Sequence, residues 1–396
     1  MKLCSPRERG GVVAKATFCT AMLLRHLCAL AVLAVVTAKK CHTSDVRQGG
    51  DEDPWLFDLA GCTALSIVWK SLGDKGATAL AVALQRNSAI TRLRLGFNKI
   101  GDAGAAALAE ALRSNGAFTA LDLEGNSIGD AGATALGEAL TNGALATLAL
   151  GSNSIGEAGA RALAQGLLLK GNRTLAALDL RWNEIGDEGA KALGEALRSN
   201  RALAVLWLSS NSIGANGAMA LADALRSKDV LTHLDVRWNS IGDAGASAVV
   251  AALVHNRALS TLGLGSNSIG DRGAFAVAET LKTNAVLAEL GLASNEIGDE
   301  GAIALAKGIK ANSGLTTLWL NANAIGDAGA LALAEAINSK YSKADSALRV
   351  LFFEGNPIFR RGAMALLAVR GHIVSLGAHR CRSGWRLLPC PAKDEV

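Results

Sequence analysis

The sequence predicts an α/β solenoid: a curved arc of about eleven strand–helix repeats, with parallel strands on the concave face and helices on the convex face. The first observation is a recurring segment. LDLRWNEIGDEGAKALGEAL at residues 178–197 returns as LDVRWNSIGDAGASAVVAAL at 234–253 and as LWLNANAIGDAGALALAEAI at 318–337. A fixed repeat period of about 20 to 50 residues is typical of solenoids.

The second observation is the spacing of one asparagine in each repeat. Successive copies are separated by 28, 27, 30, 28, 28, 28, 28, 28 and 33 residues. A degenerate first copy at residues 65–84 carries Lys70 in place of the asparagine, so we count eleven units. The anchoring asparagines are Asn98, Asn126, Asn153, Asn183, Asn211, Asn239, Asn267, Asn295, Asn323 and Asn356.

Each unit divides into a strand, a turn and a helix. Leu178 and Leu180 alternate with other residue types, which predicts a short strand with one buried face. The asparagine carries donors and an acceptor, so we expect it to bond backbone groups in the turns of neighbouring coils. Asp187 is placed to cap the following helix, whose GAxALAxAL segment has apolar residues three and four apart. Gly189 costs helix stability, which indicates close backbone packing.

The pattern LxxLxLxxNxIGDxGAxALAxAL resembles the leucine-rich repeat of the ribonuclease-inhibitor type. Ribonuclease inhibitor, the Ran GTPase-activating proteins and the repeat region of NOD-like receptors share this type. The resemblance covers about residues 62–370 and implies a leucine-rich repeat solenoid whose function lies in its exposed positions. The family is usually intracellular. No GxxxxGK[ST] motif occurs, so the nucleotide-binding domain of a complete NOD-like receptor is absent.

Charge and composition divide the chain into four parts. We predict a leader at residues 1–38, an N-terminal cap at 39–61, the solenoid at 62–370 and a C-terminal cap or tail at 371–396. The formal net charge of +5 is uneven, because residues 51–340 carry 23 basic and 29 acidic residues while both ends are basic. A mildly acidic body disfavours nucleic-acid binding.

The leader contains an apolar run of 12 residues, LCALAVLAVVTA at 27–38. This run is short for a membrane span and typical of a signal-peptide core, with cleavage before Lys39. Translation from Met22 would leave a compact signal peptide. An apolar helix capping the first coil, an organelle transit peptide and a signal anchor are the alternatives. We therefore expect a secretory or extracellular location, with the cytoplasm as the alternative.

The cysteines outside the leader lie at the two ends of the array. Cys41 and Cys62 are at one end, and Cys381 and Cys390 are at the other. Two disulfides could seal the ends of the solenoid in an oxidising compartment. One glycosylation sequon occurs, at residues 172–174, and a single match of this kind is a weak signal.

The concave face is the candidate binding surface. Five of the seven tryptophans fall in strand columns that point away from the core, and a DxRW motif occurs twice, on either side of Trp207. Exposed aromatic residues and arginines are the usual anchors of protein interfaces. In an alternative reading the motif aspartates pair with their own arginines and the tryptophans only shield the strands. The predicted partner-binding residues are Arg94, Phe97, Asp179, Arg181, Trp182, Trp207, Asp235, Arg237, Trp238 and Trp319.

The sequence contains no motif that predicts a catalytic, cofactor-binding or metal site. His233 and Asp235 share a strand face, but no nucleophile stands at a fixed spacing from them. The spacing of His372, His379 and the C-terminal cysteines fits no usual zinc finger. We therefore predict that the chain is not an enzyme.

These observations predict a non-enzymatic, monomeric scaffold that binds a protein partner on the concave face, with no membrane span in the solenoid. The resemblance offers a second function, a GTPase-activating regulator similar to Ran GTPase-activating protein. The leader offers a third, a secreted or receptor-like repeat protein that binds a ligand.

Overall fold

The structure, a computed structural model, describes residues 40–41, 46–47, 56–57, 59–169, 172–227, 230–341, 347–369, 373–375, 379–381 and 384–386. The predicted leader at 1–38, including Met22, lies outside these residues. So do His372 and Cys390.

Thirteen parallel strands form one open sheet in chain order. Eleven of them belong to the repeats, which confirms the predicted number of coils. The repeat strands are β4 (Ala64–Ser66), β5 (Arg92–Arg94), β6 (Ala120–Asp122), β7 (Thr147–Ala149), β8 (Ala177–Asp179), β9 (Val205–Trp207), β10 (His233–Asp235), β11 (Thr261–Gly263), β12 (Glu289–Gly291), β13 (Thr317–Trp319) and β14 (Val350–Phe352).

Short strands extend this sheet at both ends. β1 (Lys40–Cys41) pairs with β4, and β15 (Ile373–Ser375) pairs with β14, both in parallel. Two small antiparallel hairpins accompany them. These are β2 (Val46–Arg47) with β3 (Leu56–Phe57), and β16 (His379–Cys381) with β17 (Gly384–Arg386).

A helix follows every repeat strand. Packed helices lie about 8–10 Å apart and paired strands about 4.8 Å apart, so the strand side is the concave one. The helices are α1 (Gly73–Gln85), α2 (Asp102–Ser114), α3 (Asp130–Ala139), α4 (Glu157–Leu168), α5 (Gly186–Leu197), α6 (Ala215–Ser227), α7 (Gly242–Ala252), α8 (Asp271–Leu281), α9 (Asp299–Ala311), α10 (Asp327–Tyr341) and α11 (Arg360–Leu367). Among the described residues, no helix combines the length and the apolar character that a membrane crossing needs.

The leucines of each coil form one continuous core between strands and helices. Leu178 and Leu180 are fully buried, as is Leu193 on the helix of the same coil. The predicted alternation along the strand is therefore confirmed. Gly189 is also explained, because a Cβ at this position would lie 2.6 Å from Ile185 Cγ2 and 2.9 Å from Ala160 Cβ of the preceding coil.

The anchoring asparagines tie neighbouring coils together, as the sequence predicts. The Asn98 side-chain amide donates to the carbonyls of Ile67 (2.6 Å) in the preceding coil and Leu95 (2.9 Å) in its own coil. Its Oδ1 accepts from the backbone N–H of Lys70 at 2.9 Å. Each coil therefore satisfies turn groups of the coil before it.

A second asparagine ladder, which our sequence reading missed, runs along the loops after the helices. Asn200 Nδ2 donates to the carbonyl of Leu167 in the preceding coil (3.0 Å), and its Oδ1 accepts from the N–H groups of Ala202 and Leu203. The repeat spacing of about 28 residues was the available signal. The other members are Asn87, Asn115, Asn256, Asn284 and Asn312, together with Asn172, whose Nδ2 donates within its own coil.

The sequon asparagine belongs to this second ladder. Asn172 is 6% exposed, and its Nδ2 donates to the carbonyl of Gly166 at 3.2 Å. A glycan is attached through this nitrogen, so a glycan at Asn172 is incompatible with the coil as folded.

The aspartates of the GDxGA segment do not cap their own helices as the sequence predicts. Asp187 lies in the first turn of α5, but its side chain does not cap this helix. Its Oδ1 instead accepts from the N–H groups of Gly214 (2.6 Å) and Gly217 (2.9 Å), at the start of the helix in the next coil. The same arrangement joins seven other aspartates to the coil that follows each of them. These are Asp74, Asp102, Asp130, Asp243, Asp271, Asp299 and Asp327.

The turn changes conformation where the preceding coil lacks this aspartate. The Gly270 N–H donates a hydrogen bond to the Asp243 carboxylate, and the Gly270 backbone is extended at φ −97°. Gly186 follows a coil with Glu157 at the aspartate position, and it is left-handed at φ +61°. Gly242 follows a coil with Ala215 there, and it has φ +58°. Both left-handed glycines donate instead to the carbonyl of the next anchoring asparagine, at 2.9 and 3.0 Å.

A disulfide joins Cys41 of β1 to Cys62 just before β4, with Cα atoms 5.6 Å apart. Both cysteines are buried. The structure thus contains the bridge that the sequence allowed at the N-terminal end of the array. The possible second bridge, between Cys381 and Cys390, depends on side chains outside the described part of the chain.

Candidate functional site

The strand register fixes which predicted residues are neighbours on the concave face. The residue between the two strand leucines forms one row across the sheet, which we call the central row. Trp207 lies between Asp179 and Asp235 in this row, as the two DxRW motifs predict. In order, the central row is Ser66, Arg94, Asp122, Ala149, Asp179, Trp207, Asp235, Gly263, Gly291, Trp319 and Phe352.

The row brings the predicted residues together in three groups. Trp207 and its two flanking motifs form the central cluster, which comprises Asp179, Arg181, Trp182, Trp207, Asp235, Arg237 and Trp238. Ala149 separates this cluster from an N-terminal group, and two glycine strands separate it from a C-terminal group. The predicted site is therefore three patches of one face.

Both motif aspartates pair with the arginine two residues further on. Arg181 Nε donates to Asp179 Oδ1 at 2.9 Å and to Oδ2 at 3.0 Å. In the second motif, Arg237 Nε donates to Asp235 Oδ1 at 2.8 Å, and Nη2 donates to Oδ2 at 2.7 Å. This pairing is the alternative that the sequence left open for the aspartates. It occupies the carboxylates and holds each guanidinium in a fixed orientation.

The pairing raises the pKa of both arginines. Burial acts to lower the pKa of Arg181, but the hydrogen bond and the charge of Asp179 outweigh it, and the pKa lies above its ordinary value. Burial and Asp235 act on the pKa of Arg237 in the same opposing ways, again with a net rise. The side chains of Arg181 and Arg237 are 23% and 20% exposed, whereas those of their aspartates are almost covered.

Trp207 lies beside one of these guanidinium groups. The Cζ atom of Arg181 is 5.9 Å from the centroid of the Trp207 ring, within the range of a cation–π contact. The centre of the cluster is therefore an aromatic ring beside the anchored guanidinium of Arg181.

The residue directly before the anchoring position has a left-handed backbone in all eleven coils. Seven coils carry a small residue there, namely Gly125, Ser152, Ser210, Ser266, Ser294, Ala322 and Gly355. The other four carry Trp69, Phe97, Trp182 and Trp238 at φ between 55° and 61°. A bulky residue with positive φ is a conformational outlier. Our sequence reading missed this strain, although the small residues in the other coils were an available signal.

Three of these aromatic side chains are strongly exposed. Trp69 is 71% exposed, Trp182 61% and Trp238 62%. Phe97 is half-buried because its ring stacks on Trp69, with centroids 4.2 Å apart and planes within 3°. A shallow pocket beside this stack is lined by Trp69, Ser71, Phe97, Lys99, Gly125 and Ser127.

The remaining predicted residues belong to the two outer groups. Arg94 is exposed near the Trp69–Phe97 stack and forms an open ion pair with Asp122 at 3.4 Å. Trp319 stacks on Phe352 of the neighbouring strand, with centroids 5.8 Å apart and planes within 3°. Both groups are therefore paired aromatic surfaces on the same face as the central cluster.

The titratable groups of this face include His233. Burial lowers the pKa of His233, opposed by the charge of Glu289. Its Nδ1 lies 2.8 Å from the Thr232 hydroxyl, which itself donates to the carbonyl of Ala204 at 3.0 Å. The hydroxyl hydrogen is thus committed to a carbonyl. Among the described residues, no group of three or more His, Cys, Asp or Glu could hold a metal ion.

Comparison with known proteins identifies the repeats. The Leucine Rich repeat model matches eight segments, at residues 86–109, 118–137, 171–194, 199–222, 230–250, 255–278, 283–306 and 311–334. The chain therefore carries leucine-rich repeats; the match does not specify the ribonuclease-inhibitor type. No curated protein sequence matches the chain.

Solved structures that match the chain include a crystal structure of an internalin (inlF) from Listeria monocytogenes str. 4b F2365. It is 19% identical with a TM-score of 0.48, and the match covers 91% of this chain and 95% of the internalin. Leiomodin-1 Actin-Binding Site 2 is 20% identical with a TM-score of 0.32, over 39% of this chain and 92% of that one.

Proposed function

Because the chain is a leucine-rich repeat solenoid, we propose that it is a non-enzymatic scaffold that binds a protein partner on the concave face, with the central cluster as the main contact. Proteins built from leucine-rich repeats are generally interaction scaffolds that bind protein partners. The observation that carries the proposal is the pair Trp182 and Trp238, large indoles exposed to solvent on a strained backbone.

The energetics of these two positions favour a binding role. A left-handed backbone costs any residue with a Cβ about 1–2 kcal/mol, and seven of the eleven coils carry a small residue, glycine, serine or alanine, at this position. An indole that is more than 60% exposed contributes to folding only part of the free energy that its full burial would contribute.

The arginines favour the same role. Arg181 and Arg237 are held by two or more hydrogen bonds to their aspartates, so they lose little conformational freedom when a partner arrives. Tryptophan and arginine are also the residues that contribute most often to interface hot spots. The cluster thus combines rigid aromatic anchors with pre-oriented charged donors.

The disulfide favours an extracellular or secretory location for this scaffold. Such bridges persist in oxidising compartments and are rare in the cytosol. Within the proposed function, this disulfide favours a receptor-like or secreted ligand-binding protein. We expect a monomer in solution.

Partner capture with matched variants tests the proposal. The immobilised full chain would be used to recover proteins from its source, in parallel with Trp207→Ala, Trp238→Ala and a convex-face control, Met219→Ala. We expect the partner to be recovered by the wild type and the control. Each tryptophan variant should bind the purified partner about 30-fold or more weaker, the equivalent of about 2 kcal/mol. Equal recovery by all four proteins would refute the central cluster as the contact.

A further inference from the structure

The shallow pocket beside the Trp69–Phe97 stack combines an aromatic wall with an exposed lysine. We infer that this pocket binds an acidic segment of the protein partner, with a carboxylate of that segment held by Lys99. This inference rests on the proposed function, because the segment belongs to the same partner that the central cluster contacts.

The pocket lies between two rows of residues in the first three coils. The first row stands directly before the anchoring position and comprises Trp69, Phe97 and Gly125. The second row stands directly after the anchoring position and comprises Ser71, Lys99 and Ser127. The pocket therefore has one aromatic wall and one polar wall.

The aromatic wall is held in a fixed position. The ring of Trp69 stacks on that of Phe97, with centroids 4.2 Å apart. Phe97 lies over the next coil, where a Cβ at Gly125 would clash with its ring. Because the pocket extends along this stack from Trp69 to Gly125, it borders the edges of the rings. Ring edges carry partial positive charge, so this wall favours an anionic group.

The polar wall supplies groups that can all donate hydrogen bonds. Lys99, Ser71 and Ser127 are exposed. Within the part of the chain that the structure describes, the Lys99 ammonium group forms no ion pair, and the two hydroxyls form no hydrogen bond. An ionised carboxylate only accepts hydrogen bonds, so it matches an ammonium group flanked by hydroxyls.

The positive charge is specific to this part of the rim. Among the eleven residues that directly follow the anchoring position, Lys99 is the only basic one. Glu184 and Glu296 are acidic, and the others are serine, alanine or proline. Lys70, which is exposed, and Arg94 add two further cations near the same stack. The equivalent pairing in the central cluster places Glu184 after Trp182, so an acidic segment would distinguish the two places.

The nearest carboxylates of these coils are engaged elsewhere. Asp122 pairs with Arg94 at 3.4 Å and accepts from the Glu124 N–H at 3.1 Å. Glu124 lies among the charges of the strand face, and Lys99 is not one of the groups that act on its pKa. Asp74 accepts from two backbone N–H groups of the second coil. Lys99 is therefore available to a carboxylate from outside.

The size of the pocket favours a side chain of a protein over a free small molecule. Its volume is about 190 Å³, below the roughly 300–1,000 Å³ that is typical of small-molecule sites. An aspartate or glutamate would gain a charge-assisted hydrogen bond from Lys99 while its methylene groups contact the rings. A basic segment would be repelled by the same lysine.

Phage display of random nine-residue peptides on the immobilised full chain tests this inference. Peptides selected on the wild type are counter-selected on Trp69→Ser, which removes part of the aromatic wall without changing the charge. Serine is the residue that four other coils carry at this position. We expect the retained peptides to be rich in aspartate and glutamate. Replacing these residues with asparagine and glutamine should weaken binding by about tenfold or more in fluorescence anisotropy.

Variants of the polar wall assign the binding to named residues. Lys99→Gln should weaken binding of a retained peptide by about tenfold, and Ser127→Ala by about threefold. The matched controls are Lys307→Gln on the exposed side of α9 and Ser240→Ala, which stands at the position of Ser127 four coils further on. Both controls should leave the affinity unchanged, and circular dichroism checks the fold of every variant.

Four results would overturn the inference. These are the retention of no peptide, the retention of neutral or basic peptides, unchanged affinity in Lys99→Gln, and preferential binding of a heparin hexasaccharide measured in parallel. If one of them is found while partner capture still depends on Trp207 and Trp238, only this inference falls. If partner capture is also independent of these tryptophans, the proposed function falls with it.

Discussion

Asp187 and Gly214 are 27 residues apart, and a 2.6 Å hydrogen bond from the glycine N–H to the carboxylate joins two consecutive coils. The bond ties the start of one helix to the start of the next. Where the aspartate is replaced, as at Glu157 and Ala215, the corresponding glycine turns to positive φ. The two turns altered in this way, at Gly186 and Gly242, follow directly after Trp182 and Trp238. The sequence of one coil therefore sets the loop conformation of the next.

Removing one such carboxylate tests this dependence. Asp187→Ala leaves the N–H groups of Gly214 and Gly217 without their shared acceptor, so we expect a loss of about 1–3 kcal/mol in unfolding free energy. Urea unfolding measures it. Glu188→Ala is the control, because Glu188 is exposed and its 3.8 Å ion pair with Lys191 contributes little. Equal losses in the two variants would contradict an inter-coil role for Asp187.

The two glycine conformations predict different costs of adding a methyl group. Gly242→Ala meets no atom within 4 Å but requires positive φ, so it should cost about 1–2 kcal/mol of unfolding free energy. Gly270→Ala has an ordinary extended backbone, and its Cβ would lie 3.6 Å from the nearest Asp243 oxygen, so it should cost less than about 0.5 kcal/mol. Equal costs in parallel urea unfolding experiments would show that the two turns do not differ.

The N-terminal disulfide predicts a local effect on stability. Reduction of the Cys41–Cys62 bridge, which spans 21 residues, should cost about 3 kcal/mol because the unfolded chain regains the conformational entropy that the bridge removes. Each repeat contacts mainly its neighbours, so we expect loosening of the first coil only. Hydrogen exchange with and without reductant would locate the change. Loss of protection around Trp207 on reduction would contradict a local effect.

Glu124 predicts a pH dependence. Burial raises its pKa, although the charge of Arg181 opposes the rise. The folded state therefore holds this proton more tightly than the unfolded chain. The stabilisation from the protonated form is complete below the unfolded pKa and is lost as the pH rises through the folded pKa. Glu124→Gln should gain stability relative to the wild type between pH 4 and pH 7 in urea unfolding. A difference that does not change with pH would contradict this assignment.

The sequence predicted the period, the eleven coils and the bonding of the anchoring asparagines, because leucine and asparagine repeat at every coil. It could not place the Asp187 carboxylate. Each helix start looks alike in sequence, and spacing alone does not distinguish a residue's own helix from the next one. The left-handed backbone of Trp182 could not be predicted from the propensity of tryptophan, and only the small residues at the equivalent position of other coils indicated it.

The candidate site was likewise predictable from the sequence only in part. The strand register around Trp207 was predictable, because one DxRW motif lies one coil before it and the other lies one coil after it. The sequence left two interpretations of Asp179 and Arg181 open. On a short strand the two side chains can pair with each other, or each can contact a partner protein.

The central claim is that Trp182 and Trp238 serve binding and not the fold. The direct measurement compares the wild type with Trp182→Ser/Trp238→Ser, which installs the residue that four other coils carry at this position. We predict an unfolding free energy within about 1 kcal/mol of the wild type and partner affinity at least about 30-fold weaker. For scale, Leu234→Ala in the core should cost about 2–5 kcal/mol. A double variant that loses stability on that scale, or that keeps full affinity, would contradict the claim.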